Sequence, residues 1–275
     1  MAVTHKSGLH GSRRKLLIVV SVILAVVVLI SAFFVYRSLI VDDDDLIRVK
    51  SASELRDAVN NAEVNVPINI ALTTDIFLGP ELTIPAGADI TLTSDSKSDF
   101  FRLIGLNGQG VIRIMNGGRL TLAGIIVTHE EGSTGYGIHV GGRLIMIDGE
   151  VSGNINPNGL GGVVVDQGGI FELVGGLISG NTAERGAGVY NGGTFKMSGG
   201  EISGNTAVGT MWNLGGGGVF LWDSWFEMSG GVITNNTAQR YGGGVYNLYG
   251  TFDWVGGEIY DNTAGEGNDV HERTE

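Results

Sequence analysis

The feature that most constrains this chain is an internal repeat. Asn181-Thr182-Ala183, Asn205-Thr206-Ala207, Asn236-Thr237-Ala238 and Asn262-Thr263-Ala264 recur at intervals of 24, 31 and 26 residues, and Asn154 fits one step earlier. A glycine pair precedes each of the four: Gly175-Gly176, Gly199-Gly200, Gly230-Gly231 and Gly256-Gly257, with Asp148-Gly149 ahead of Asn154. Aligning the copies on the asparagine produces apolar columns. One holds Leu144, Phe171, Phe195, Phe226 and Phe252; the next holds Met146, Leu173, Met197, Met228 and Trp254. A third holds Val151, Ile178, Ile202, Ile233 and Ile259, and a fourth Ile138, Val165, Val189, Val219 and Val245. Within each copy the apolar residues alternate with polar ones at period two, the signature of short strands with one buried face. One such unit cannot bury its apolar face alone, whereas stacked units form a continuous core. The pattern predicts an all-β chain folded as a right-handed parallel β-helix, its columns becoming stacks one strand spacing apart, about 4.8 Å. A row of β-hairpins fits less well, because the columns recur once per copy and few two-residue turn signals separate the strands.

Composition agrees with this reading. Of 47 glycines, only Gly8, Gly11, Gly79 and Gly87 precede Ile104. Collagen is excluded because no strict three-residue glycine period exists. Disorder is disfavoured because apolar residues recur between the glycines. Less regular coils extend the pattern toward the N-terminus. Ile68-Asn69-Ile70, Leu82-Thr83-Ile84 and Ile90-Thr91-Leu92 suggest one, and Ile112, Ile114, Leu120, Leu122 and Ile126 another. The β-helix is thus expected over residues 64–275. Residues 51–63 read as a helix capping its open end, with Ser53 as N-cap and Leu55, Val59 and Ala62 on one face.

The N-terminus carries a different signal. Leu16 to Tyr36 contain no formal charge and, at about 1.5 Å rise per residue, span about 30 Å, the hydrocarbon thickness of a bilayer. Arg13, Arg14 and Lys15 precede this run, and residues 1–41 contain no acid. Positive charge on the near side places residues 1–15 in the cytoplasm and the β-helix outside. Residues 37–50, with Asp42 to Asp45, read as an acidic linker. A cleaved signal peptide is the rival reading, but its apolar core is shorter, about 7–15 residues. The expected partner is therefore the membrane, through a single transmembrane helix over 16–36, with the remainder on the cell surface. The formal net charge of -12 argues against nucleic acid.

Ile202-Ser203-Gly204-Asn205-Thr206-Ala207 and Gly186-Ala187-Gly188-Val189 resemble the paired repeat motifs of polymorphic outer membrane proteins and of adhesin-like β-helix proteins, within the wider pectin-lyase-like group. The similarity covers roughly residues 47–275. It differs in having Ile at a motif position that is often Phe in that family, and neither a C-terminal β-barrel nor a sorting motif follows the repeats. The resemblance implies a surface protein of adhesin-like or carbohydrate-binding character. It also keeps open a polysaccharide lyase or glycoside hydrolase of the same fold, and a structural protein that assembles end to end.

The chemistry-bearing residues favour binding over catalysis. There are no cysteines, which removes thiolate metal sites and thiol nucleophiles. His5, His10, His129, His139 and His271 show no metal-ligand spacing, and nothing implies a cofactor. The signature motifs of the polygalacturonase branch are absent. The best carboxylate set is an outward column of Glu172, Lys196, Glu227 and Asp253. Glu227 and Asp253 are the catalytic candidates, since glycoside hydrolysis needs paired carboxylates. A solvated charge ladder with Lys196 between acids explains the same residues more simply. Arg185 and Arg240 follow equivalent turns and read as loop arginines able to clamp an acidic sugar. The asparagine column reads as a structural ladder of turn residues. Aromatics are the strongest binding signal. Tyr190, Phe220 and Tyr246 share an outward column, with Trp222, Trp225, Tyr241 and Tyr249 near it. Trp212 sits in the longest loop between coils, 208–214. Open, such a strip is a platform for sugar rings or a partner surface; covered by the loop, it is core.

Overall fold

The computed structural model describes residues 46–96, 99–106 and 108–273. The expected membrane span at 16–36, the segment before it and most of the acidic linker lie outside these residues. No helix among the described residues is long and apolar enough to cross a membrane.

The chain winds as a parallel β-helix of about nine turns. Its strands form sheets of thirteen, five and eight strands, and residues from successive turns pair side by side. The first column holds in register: Leu144 pairs with Phe171, Phe171 with Phe195, Phe195 with Phe226 and Phe226 with Phe252. The four phenylalanine rings stack at 4.9, 4.5 and 4.9 Å between centroids, within 9° of parallel. Ile90 and Leu120 continue the same column toward the N-terminus. The isoleucine column also pairs as expected from Val151 to Ile259.

Two registers differ from the sequence reading. In the fourth column Val163, not Val165, pairs with Ile138 and Val189; Val165 pairs with Val140 and Asn191. The turn from Val165 to Ile170 is longer than the one from Asn191 to Thr194, so a fixed offset from the asparagine misplaces this strand. The glycine before the valine is the better marker. In the earlier coil, Val127 rather than Ile126 faces Val151 and is fully buried. Trp254 keeps register with Met228 but is 49% exposed, because its strand Thr251–Tyr260 pairs on one side only among the described strands.

Asn154, Asn181, Asn205, Asn236 and Asn262 form a continuous buried ladder. Each Nδ2 donates to the Oδ1 of the next, at 2.9 to 3.0 Å. Each backbone N–H of the first four donates to that same oxygen. The ladder has distinct ends. His129 Nδ1 lies 2.8 Å from Asn154 Oδ1. At the other end Asp269 Oδ1 accepts from both the Nδ2 and the N–H of Asn262. The ladder also explains the glycine that precedes each valine. A Cβ at Gly188 would lie 2.5 Å from the Gly218 carbonyl oxygen and 3.1 Å from Asn205 Nδ2, so only glycine lets the coils close up here.

The helix runs from Ala52 to Asn60. Its N-cap is Ser51, not Ser53: the Ser51 hydroxyl oxygen accepts from the Glu54 N–H, and the Glu54 carboxylate accepts from the Lys50 N–H. This is a capping-box arrangement displaced by one residue. Leu55 and Val59 are buried in the same core cluster as the first strands, with Ala62 partly buried against it.

Candidate functional site

One outward column of the eight-stranded sheet brings polar and aromatic side chains from successive coils together. Thr83, Arg113, His139, Val164, Tyr190, Phe220, Tyr246 and His271 pair in that order from coil to coil. Its N-terminal half is polar and its C-terminal half aromatic.

The aromatic half is not an open strip. Tyr190, Phe220 and Tyr246 do lie in adjacent coils, with Tyr190 and Phe220 stacked at 5.5 Å and Tyr246 edge-on to Phe220 at 5.4 Å. Phe220 and Tyr246 are 0% exposed. Together with Tyr241 and Leu248 they form a small core on the outer side of the sheet. The loop segment closes it: Tyr246 Oη donates to the Trp212 carbonyl at 3.2 Å. Gly216 lies against Phe220, where a Cβ would come within 2.7 Å of the Phe220 Cβ. Phe220 and Tyr246 are therefore core residues and cannot touch a ligand. The Trp212 ring remains outside, 53% exposed, with the Arg273 guanidinium 4.8 Å above it. Tyr190 is half-buried and reaches the surface.

Beside Tyr190 lies a recess of about 240 Å³ lined by Asp166, Gln167, Tyr190, Trp222 and Asp223. Trp222 is 41% exposed, and its ring stacks on the buried Phe220 at 6.4 Å. The closed aromatic core thus acts as a rigid support for the exposed indole. A second recess of about 230 Å³ is lined by Arg113, Met115, Asn116, Asp166 and Gln167. The two meet at Asp166 and Gln167, so the groove follows the turns after the eight-stranded sheet.

The polar half of the column sets the charge in this groove. Arg113 Nε donates to Glu81 Oε2 at 2.8 Å, and Arg113 also donates to the Tyr136 hydroxyl and to His139 Nδ1. Tyr136 Oη donates to Glu81 Oε1 at 2.7 Å. Because His139 Nδ1 accepts from Arg113, the ring presents Nε2–H outward, and it donates to Asp166 Oδ2 at 2.7 Å. Burial works against the charge on Arg113, but Glu81, Tyr136 and Asp166 together outweigh it and the guanidinium pKa is raised. Burial, reinforced by Glu81 and opposed by Arg113, pushes the Tyr136 hydroxyl up. The network fixes Asp166 at the junction of the two recesses while its side chain stays 51% exposed. This constellation as a whole is not legible in the sequence, since Glu81, Arg113, the Tyr136 and His139 pair, and Asp166 come from four successive coils. The legible signal was the shared pattern Ile112-Arg113-Ile114 and Ile138-His139-Val140, which puts Arg113 beside His139.

The other candidates are placed as follows. Glu227 and Asp253 sit one coil apart in register, with Lys196 next in the column. Asp253 Oδ2 accepts from the Trp225 indole N–H at 2.7 Å, and Lys196 lies 5.4 Å from the Trp225 ring centroid. Arg143 pairs with Glu172 at 2.7 Å. Arg185 lies over Tyr190 and Arg240 over Tyr241, so both arginines brace the outer aromatic cluster. Among the described residues no group of three or more histidines, aspartates or glutamates is placed to hold a metal ion. In comparisons with family models, curated proteins and solved structures, nothing matched this chain.

Proposed function

We propose that this chain is a membrane-anchored, extracytoplasmic β-helix whose role is non-catalytic binding of a glycan on the cell surface. The observation that carries this is the recess beside Tyr190. It offers an exposed indole on a rigid support, a second ring, and the planar polar groups of Asp166, Gln167 and Asp223. Sugar rings are bound by such pairings of an apolar aromatic face with fixed polar groups. At about 240 Å³ the recess is below the usual range for a drug-sized ligand, roughly 300–1,000 Å³. It suits one ring of a chain that continues along the groove. The anchor rests on the uncharged run Leu16 to Tyr36 and the basic cluster before it. A glycan-array screen of the purified full chain tests the reading. Retention of a glycan that is lost in Trp222→Ala, with the β-sheet signal in circular dichroism unchanged, is the expected result. No retained glycan, or retention indifferent to Trp222, overturns it.

A second reading, a polysaccharide-cleaving enzyme, is favoured by one observation. His139 orients Asp166 within a recess that also holds Asp223, and two carboxylates flanking one bond are what glycoside hydrolysis uses. Release of new chain ends from a polysaccharide, abolished by Asp166→Asn, would put this reading ahead of the first.

A further inference from the structure

The charge of the groove narrows the ligand class. Among the described residues Arg113 is the one cation in the lining of the two recesses, and it is already engaged by Glu81, Tyr136 and His139, while Arg185 lies over the Tyr190 ring. His139 accepts from Arg113 and donates to Asp166, so it orients that carboxylate as a hydrogen-bond donor. Asp223 has no ion-pair partner among the described residues. Two acidic residues therefore line one recess together with Trp222. An acidic sugar placed there meets like charge, which costs affinity. An ammonium gains twice, from the carboxylates and from the indole face.

Resting on the glycan reading above, we infer that the groove binds an amine-bearing sugar chain, with an ammonium group held between Asp166 and Asp223 beside Trp222. Gln167 and the Tyr190 ring then serve the hydroxyls and the apolar face of the neighbouring ring. The basis is the match of charge and surface type: in the groove lining Asp166 and Asp223 outnumber Arg113, which Glu81 already engages.

The test is calorimetric titration of the full chain with a glucosamine oligosaccharide, at a pH where its amines are protonated. The N-acetylated oligomer, a galacturonic acid oligomer and oligolysine are titrated in parallel. The glucosamine oligomer should bind about tenfold or more tightly than its N-acetylated form, a difference of about 1.4 kcal/mol, and the galacturonate should not bind. Asp223→Asn should erase that preference, whereas Trp222→Ala should weaken both oligomers. Glu201→Gln removes the same charge from an exposed position on the thirteen-stranded sheet and should leave both affinities unchanged, which controls for attraction to the net charge of the chain. Equal binding of both amino-sugar forms overturns the ammonium site and leaves the glycan reading standing. Oligolysine binding as tightly as the glucosamine oligomer overturns the sugar assignment. Failure of every sugar to bind removes both readings.

Discussion

The buried asparagines show how one side chain serves two coils at once. Asn205 Oδ1 accepts from the N–H and Nδ2 of Asn181, while its own Nδ2 donates to the Ile178 carbonyl and to Asn236 Oδ1. Asn205→Ala strands several buried polar groups, each worth roughly 1–3 kcal/mol when unsatisfied. A loss of about 3 kcal/mol or more in urea unfolding is expected. Asn205→Asp should be worse, since its second oxygen would face the Ile178 and Asn236 oxygens. At the ladder's end the demand reverses. Asp269 only accepts, so Asp269→Asn should be nearly neutral. Asp75 offers a pH-dependent test. Burial opposes its charge, but hydrogen bonds from the Arg102 side chain and N–H outweigh that and hold its pKa below the usual carboxylate value. A lowered folded-state pKa gives stability that is complete above the unfolded value of about 3.9. That stability is lost as pH falls through the folded value. Asp75→Asn should therefore cost on the order of 0.5–1 kcal/mol near neutrality, as for a partly exposed pair. The difference from wild type should vanish in acid, as read by unfolding curves across pH.

At the scale of the strand, the phenylalanine stack is the clearest energetic unit. Phe195 is fully buried between the rings of Phe171 and Phe226. Phe195→Ala should leave a cavity and cost about 3–5 kcal/mol. Phe252→Ala should cost visibly less, since Phe252 ends the stack and is only partly buried. Comparing the two denaturation midpoints checks the order. These stacks were legible because strand periodicity and the fixed spacing from Phe to Asn survive in every copy. The valine column was legible only in part, because the turn after Val165 is longer than its counterpart after Asn191. The helix is legible from its apolar face, but its N-cap, Ser51, lies two residues before the serine that the pattern suggests. The candidate site was least legible. Tyr190, Phe220 and Tyr246 shared a column as expected, yet the cover over two of them comes from the segment carrying Trp212 and from Tyr241, whose packing no strand period encodes. The network from Glu81 to Asp166 joins residues far apart in sequence, and only the coil register brings them together.

For the whole molecule, the repeats and the N-terminal run make independent demands, and topology is where they meet. The β-helix satisfies its own backbone through coil-to-coil pairing and asks nothing of a bilayer. Leu16 to Tyr36 carry no charge and have few ways to be satisfied in water. Three adjacent basic residues precede that run: Arg13, Arg14 and Lys15. They outnumber the single Arg37 close to the other end, and such a bias sets orientation. The formal net charge of -12 also disfavours contact between an acidic chain and anionic lipid headgroups. The expected outcome is a fixed orientation. Protease added outside intact cells should remove the β-helix and leave an epitope within residues 1–15 protected until the cells are opened. Moving the three basic residues to the far side of the run should reverse that protection. A soluble form beginning near Phe33, found without added protease, would instead show that the run is a cleaved leader and that the β-helix is released from the cell.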